Sequence, residues 1–276
     1  MPINPAHRLI QLGVKSLGFD PGPVDGWYGP DTHLACAALA AQGPITATPW
    51  AVRTLNRGLA GLGYMEGPGG DRYDAATRSA LGLMLDADGL PAASRVTSPA
   101  PIVPTRPAMR PVQTRSVMRQ GSTNKVIDTF MLHCAAVPGD WHLYKSNAEI
   151  VHAIHKMHTL PTSQGGRGWS DTGYHSITCP DGERFDARPW QRSGAGALGY
   201  NTGVYHQLMI EVDTITRTRR AEDYFTPDTL ATTKRHIEEI SQRTPITRLM
   251  GHREVAAKLC PGFDVIDAEW TERAVS

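Results

Sequence analysis

The residues best suited to catalysis are two histidines and a cysteine in the second half of the chain. His133 ends an apolar run, and His252 and Cys260 lie eight residues apart in the segment GHREVAAKLCPGF. Zinc favours imidazole and thiolate ligands, and a catalytic zinc takes three protein ligands and leaves a fourth position for water. These three residues would supply such a set. The chain has 11 histidines, however, so spacing alone leaves Cys134 and His175 open as competing ligands.

The second half of the chain alternates between strands and helices that would bring these residues together. Apolar runs predict strands at 126–134, 208–212 and 246–250, and a hairpin over 173–187 turns at a Pro-Asp-Gly sequence. A capping box, Ser146 with Glu149, starts a helix that ends near Leu160, and the segment TPD at 226–228 starts another that ends near Arg243. A mixed central sheet flanked by helices is therefore expected.

Five short motifs give this half of the chain a family resemblance. LHCAA, GYH, GYN, FTP and GHREVAAKLCPGFD occur in the order and at the approximate spacing found in amidase-type phage lysozymes. That zinc amidase family includes animal peptidoglycan recognition proteins and bacterial muropeptide-recycling amidases. The resemblance covers residues 125–270. It implies the zinc amidase fold and hydrolysis of the bond between N-acetylmuramic acid and L-alanine in bacterial peptidoglycan.

The resemblance also implies roles for individual residues. His133, His252 and Cys260 fall on the family's zinc ligands, so Zn²⁺ is the expected cofactor. Tyr174 falls on its active-site tyrosine, and Lys258 falls on its catalytic lysine. A lysine at that place would stabilise the oxyanion that develops in the transition state.

Three positions and one segment have open roles or depart from the family pattern. Glu211, in LMIEVD, resembles an acidic catalytic residue of the recycling amidases and is predicted as a general base; alternatively, it is a strand carboxylate paired elsewhere. Lys258 has the alternative of an i,i+4 ion pair with Glu254 on a short helix. Gly196 stands where the family often has a histidine before its GYN, and residues 159–168 resemble an insertion beside the cleft.

The first part of the chain contains an internal repeat with an offset of 45 residues. LGF at 17–19 matches LGY at 62–64, and a GP pair, a tyrosine, a threonine and an alanine recur at the same offset. Each copy predicts a helix, a glycine-rich turn and a second helix. LGF followed by VDGWYGPDT resembles the peptidoglycan-binding domain of many cell-wall hydrolases, which implies a small three-helix bundle; alternatively, these residues only shape a turn. Copy two departs from the motif at 70–71, where it has GD in place of DG.

A proline-rich segment separates the two halves. Six prolines fall within residues 91–111, and proline fixes φ and lacks a backbone donor, so an extended linker is predicted. We therefore predict a peptidoglycan-binding domain over residues 1–90, a linker over 91–120 and an amidase domain over 121–276.

Composition narrows the function classes. Hydrophobic residues make up 40% of the 276 positions, and the formal net charge of +1 gives no indication of a nucleic-acid partner. No segment approaches the roughly 18 apolar residues of a membrane span, and the N-terminus lacks the apolar core of a signal peptide. We expect a monomer whose partner is bacterial peptidoglycan. Like a phage or prophage endolysin, it would stay in the host cytoplasm until the membrane is permeabilised and then act on the cell wall.

Two other functions compete with that interpretation. Family members that recognise peptidoglycan without cutting it usually lack the cysteine ligand, whereas this chain has Cys260, Tyr174 and Lys258. A muropeptide-recycling enzyme or an antibacterial effector would use the same chemistry. A wall-binding domain argues against recycling, because soluble fragments need no anchor.

Overall fold

The computed structural model describes residues 4–87, apart from 44, 46, 48 and 68, and residues 117–265. The chain divides into two compact units, residues 1–112 and 113–276. The proline-rich segment at 91–111 lies outside the described residues. Within the described ranges, no helix is long and apolar enough to cross a membrane.

The first unit consists, in its described part, of four helices. They are α1 (Pro5–Ser16), α2 (Pro30–Ala40), α3 (Pro49–Gly61) and α4 (Ala75–Ala87). Each copy of the repeat supplies a helix, a turn and a second helix. The bundle therefore has four helices in this part of the chain, where the resemblance implied three.

Helices α1 and α3 pack closely because the repeat places a glycine at the same position on both. A Cβ atom at Gly13 would lie 2.7 Å from the Cβ atom of Leu55, and one at Gly58 would lie 2.7 Å from Cγ1 of Ile10. Any larger side chain would push the two helices apart. The internal repeat thus determines which helices of this unit face each other.

The second unit is built on a five-stranded mixed sheet. Its strands are β3 (Thr129–Cys134), β4 (Ser176–Thr178), β5 (Arg184–Asp186), β6 (Val204–Met209) and β7 (Arg248–Gly251). Their order across the sheet is β5-β4-β6-β3-β7. Strands β4, β6, β3 and β7 run parallel, and β5 runs antiparallel to β4. The predicted mixed sheet and its hairpin are confirmed.

Two helices flank this sheet, and both begin where the sequence predicted. Helix α5 spans Asn147–Thr159, and its capping box is formed because Glu149 accepts a hydrogen bond from the backbone N–H of Ser146 at 2.7 Å. Helix α6 spans Pro227–Ser241, with the Thr226 hydroxyl as N-cap. Caps of this kind depend on three or four neighbouring residues, which is why sequence alone located them.

The two helices pack on different faces of the sheet, and this decides where the polar residues lie. Phe130 and Leu132 share a core with Ile237 of α6. The alternation of side chains along a strand therefore places His133 on the opposite face. Leu208, the partner of His133 in register, packs in the core that contains Ile154 of α5.

Several predicted boundaries were wrong. The run at 126–134 is interrupted, since β2 (Lys125–Val126) pairs with a short strand β1 (Arg119–Gln120) that the sequence placed in the linker. The strand predicted at 208–212 is β6, and the one predicted at 246–250 is β7. Pairing with β3 sets where both strands begin and end. The residue pattern of a single strand does not show which strand it pairs with.

Candidate metal centre

Three side chains meet at the ends of two neighbouring parallel strands. His133 is the penultimate residue of β3, and His252 directly follows β7, which pairs with β3. Cys260 comes from the loop after a 3-10 turn at His252–Glu254. One nitrogen or sulfur atom from each of the three lies within 4.8 Å of the others. Nδ1 of His133 is 3.8 Å from Sγ of Cys260.

This group has the composition and spacing of a zinc site. A tetrahedral zinc with bonds of about 2.0 Å to nitrogen and about 2.3 Å to sulfur holds such atoms about 3.5 Å apart, close to the 3.8 Å between Nδ1 of His133 and Sγ of Cys260. The side chains of His133, His252 and Cys260 are all buried. Two imidazoles and a thiolate therefore fit a zinc ion.

The surroundings favour the protonation states that ligation needs. Hydrogen bonding with Cys134 and with the imidazoles of His133 and His252 holds the pKa of Cys260 well below its usual value, although burial acts in the opposite direction. The backbone N–H of Cys134 donates to the Cys260 sulfur at 3.2 Å. Burial lowers the pKa of His133. A thiolate and a neutral imidazole are the forms that bind metal.

The two competing ligands do not join this group. Cys134 packs in the hydrophobic core on the α6 side of the sheet. His175 uses both ring nitrogens elsewhere: Nδ1 accepts from the backbone N–H of His206 at 2.9 Å, and Nε2 lies 3.1 Å from the carbonyl oxygen of Arg192. Strand pairing thus separates candidates that spacing could not.

Tyr174 lies beside His133, and the centroids of the two rings are 5.0 Å apart. Burial raises the pKa of Tyr174, so its hydroxyl keeps a proton to donate. On its other side the ring contacts His158, which stacks on Trp169 at 4.9 Å. The loop at 160–168, part of the predicted insertion, closes through a hydrogen bond from the N–H of Gly168 to the carbonyl of Leu160 at 2.8 Å.

Lys258 is exposed in the turn between His252 and Cys260. Burial is the main cause of the lowered pKa of His133, and the positive charge of Lys258 adds to it. The alternative pairing with Glu254 is not formed within the described residues. Glu254 instead accepts a hydrogen bond from the backbone N–H of Gly251 at 2.6 Å. The 3-10 turn ends at Glu254 and no α-helix continues to Lys258, so the i,i+4 geometry of such a pair is absent.

Glu211 lies just past the end of β6 and is fully buried. Its two carboxylate oxygens accept hydrogen bonds from the backbone N–H groups of Ala135 and Val137, each at 2.8 Å. Burial raises its pKa to about 7, although these hydrogen bonds oppose the shift. The carboxylate therefore anchors the loop that follows His133.

Comparison with known proteins gives the family. No family model matches the chain. The endolysin of Enterobacteria phage K11 is 30% identical over 138 residues, which cover 49% of this chain and 81% of that protein. The chain belongs to the phage endolysin family. This confirms the amidase-type phage lysozyme family that the motifs indicated.

Two other proteins are similar to this chain. The endolysin of Klebsiella phage KP32 is 32% identical over 108 residues, which cover 39% of this chain and 68% of that protein. Among solved structures, the N-acetylmuramoyl-L-alanine amidase LysC from Clostridium intestinale is 21% identical. It covers 58% of this chain and 92% of that chain, with a TM-score of 0.41.

One polar residue of the site is not among the residues that the sequence motifs predicted. His206, on β6, lies with its Nδ1 atom 2.9 Å from Nε2 of His133. The signal was available, because His206 precedes Leu208 by two positions and so shares its face of the strand. The strand was predicted to begin only at Leu208, which left His206 outside it. Gly196, the departure from the family pattern, also lies against this histidine pair.

Proposed function

We propose that this protein is a zinc-dependent N-acetylmuramoyl-L-alanine amidase that acts as an endolysin. It would hydrolyse the amide bond between N-acetylmuramic acid and L-alanine in bacterial peptidoglycan. The observation that carries this proposal is the group of His133, His252 and Cys260, whose ligand atoms lie within 4.8 Å of one another. Membership of the phage endolysin family supports it.

His133, His252 and Cys260 would hold the zinc ion. The chemistry that zinc supplies in such sites is Lewis acidity, which polarises a carbonyl group and lowers the pKa of water to ~7. The protein contributes a buried thiolate from Cys260 and two imidazoles, whose positions strands β3 and β7 fix. The lactyl carbonyl next to L-alanine would lie beside this group.

Tyr174 and Lys258 would act on the substrate from two sides. The Tyr174 hydroxyl stays protonated and can donate a hydrogen bond to the substrate or to the attacking water. The Lys258 ammonium makes no ion pair with Glu254 and acts electrostatically on His133, so its positive charge would stabilise the oxyanion.

The general-base role of Glu211 stays a prediction. Its two hydrogen bonds to Ala135 and Val137 support the anchoring role, because they engage both carboxylate oxygens in a fully buried place. With Glu211 as an anchor, orientation of the attacking water would fall to the Tyr174 hydroxyl, which keeps its own proton. The substitution Glu211→Gln distinguishes the two roles.

The first unit would anchor the enzyme to the wall. Gln11 holds the turn of copy one, and this turn presents the Trp27 side chain 62% exposed. An exposed aromatic ring on a rigid turn suits binding to wall sugars and peptides. We expect Trp27→Ala to reduce co-sedimentation with purified peptidoglycan and to leave cleavage of a soluble muropeptide unchanged.

Mass spectrometry of digested peptidoglycan, with and without a chelator, tests the function. We expect stem peptides with a free N-terminal alanine, abolished by the chelator and restored by zinc. Cleavage within the glycan or the peptide would place the enzyme on another bond of the same substrate. Tight sedimentation with the wall without any cleavage would instead identify a recognition protein.

A further inference from the structure

His206 is a fully buried histidine that touches the zinc-binding group without belonging to it. Strands β3 and β6 are parallel, and the register pairs Met131 with His206 and His133 with Leu208. The two histidines therefore lie diagonally on one face of the sheet. Their rings are 5.2 Å apart between centroids, and Nδ1 of His206 is 2.9 Å from Nε2 of His133.

This contact gives the two nitrogens of His133 different roles. Nδ1 faces Sγ of Cys260 at 3.8 Å, and Nε2 faces His206 at 2.9 Å. A neutral imidazole carries one N–H, so an Nδ1 atom that binds metal leaves the proton on Nε2. That N–H donates to Nδ1 of His206. Ligating histidines commonly donate their second N–H to such an outer partner, which fixes ring orientation and tautomer.

Keeping His206 is costly for the fold. Its Nε2 atom is buried and makes no hydrogen bond of good geometry within the described residues; the backbone of Tyr200 gives the ring at most a weak one. A buried unpaired polar atom destabilises a protein, and a leucine of similar size would fill the same space without that cost. Packing alone therefore does not account for a histidine at this position.

Two glycines of the neighbouring loop leave room for the His206 ring. A Cβ atom at Gly194 would collide with the Cδ2 atom of that ring. A Cβ atom at Gly196 would lie 2.7 Å from Nδ1 of His206 and 3.0 Å from Nε2 of His133. Neither glycine has a positive φ, so the requirement for glycine here is steric.

We propose that His206 is a positioning residue that holds His133 in its metal-binding orientation, and that Gly194 and Gly196 are glycines because its ring occupies their side-chain space. This inference rests on the zinc site of the proposed function. It also explains the departure from the family pattern at position 196: no side chain fits there while His206 contacts His133.

Zinc affinity of the full-length protein, measured by competition with a chromophoric chelator, tests the proposal. His206→Leu keeps the volume and removes the acceptor, so we expect zinc to bind about 10–100-fold more weakly. His206→Asn places its side-chain oxygen near the position of Nδ1, and we expect it to restore most of the affinity. The absorption spectrum of the Co²⁺-loaded protein should change for the leucine variant and stay close to the parent for the asparagine variant.

His236→Asn is the matched control. His236 is a buried histidine of the same unit, hydrogen-bonded to Gln207 and absent from the zinc-binding group. Its substitution should leave zinc affinity unchanged, even where it lowers the melting temperature. If His206→Leu weakened zinc binding only through a general loss of stability, His236→Asn would weaken zinc binding as well.

Gly196→Ala tests the steric part without removing His206. We expect about tenfold weaker zinc binding in the parent protein and a smaller effect in a His206→Ala background, where the ring is gone. Equal zinc affinity of the parent and His206→Leu would overturn the inference and leave the proposed function intact. Equally weak binding by the leucine and asparagine variants would overturn the hydrogen-bond role. A parent protein that binds no zinc would instead refute the proposed function.

Discussion

Each unit of this protein buries a cluster of polar side chains, and the two clusters are organised differently. In the first unit, the Gln11 amide nitrogen lies within 3.2 Å of four oxygen acceptors, and its oxygen accepts from the N–H of Gly26 at 2.8 Å. In the second unit, the ligand atoms of His133, His252 and Cys260 point toward one another.

The difference separates a structural cluster from a functional one. The polar atoms of Gln11 are engaged with the backbone and side chains of one turn, so nothing is left to bind a ligand. Two imidazole nitrogens and a thiolate sulfur gathered this closely can share one zinc ion. The direction of the polar atoms, more than their burial, therefore predicts chemistry.

Removing one converging ligand should have the largest effect. Cys260→Ala leaves two imidazoles, so we expect zinc to be lost and turnover to fall by more than the ~10²–10³-fold typical of one transition-state donor. Zinc content and muropeptide cleavage measure this. The control is Cys36→Ala, which removes a buried cysteine from the core of the first unit. Comparable zinc loss in both variants would mean that the ligand assignment is wrong.

Lys258→Met should be the next largest change. Because the side chain is exposed and makes no ion pair with Glu254, we expect turnover to fall ~10²–10³-fold while zinc content and melting temperature stay the same. Lys125→Met changes another exposed lysine of the same unit and should be neutral. Near-normal turnover of the Lys258 variant would refute its proposed role.

Glu211→Gln distinguishes an anchor from a general base. If Glu211 is an anchor, the variant keeps most of its turnover. If Glu211 is a general base, its loss would lower turnover by ~10²–10⁴-fold. Stability provides a second measurement in zinc-free protein. The folded state keeps the proton up to a pKa of about 7, and the usual value is 4.5.

The sign of that pH dependence follows from the raised pKa. Because the folded state holds the proton of Glu211 more tightly, the stability that this group contributes is present below pH 4.5 and is lost as pH rises through 7. The free energy of unfolding of the parent should therefore fall relative to that of Glu211→Gln across this window, by a few kcal/mol at most. A difference that does not vary with pH would contradict the raised pKa.

The smallest effects should come from the cluster of the first unit. Gln11→Ala leaves the Gly26 amide without its acceptor, so we expect a loss of about 1–3 kcal/mol and faster hydrogen exchange at that amide. Asn56, the counterpart of Gln11 in copy two, bonds to Gly70 and Thr77, so Asn56→Ala should cost less. Cleavage of a soluble muropeptide should not change in either variant. A large loss of cleavage would mean that this cluster is not merely structural.

Sequence by itself determined the local features and the residue types of the site. The capping box at Ser146, the N-cap at Thr226 and the hairpin turn at 180–182 depend on residues a few positions apart, so their chemistry is readable along the chain. The family motifs also selected His133 and Cys260 from many possible ligands.

Only the tertiary structure decided which polar atoms meet. Strand order placed β7 beside β3, and register put His206 on the face of His133. The turn after β7 keeps Lys258 from forming an ion pair with Glu254. The chain that follows β6 places Glu211 against the backbone of the loop after β3. A shift of one residue in a strand turns every side chain to the other face, and pairing between distant segments, which no local pattern encodes, sets that register.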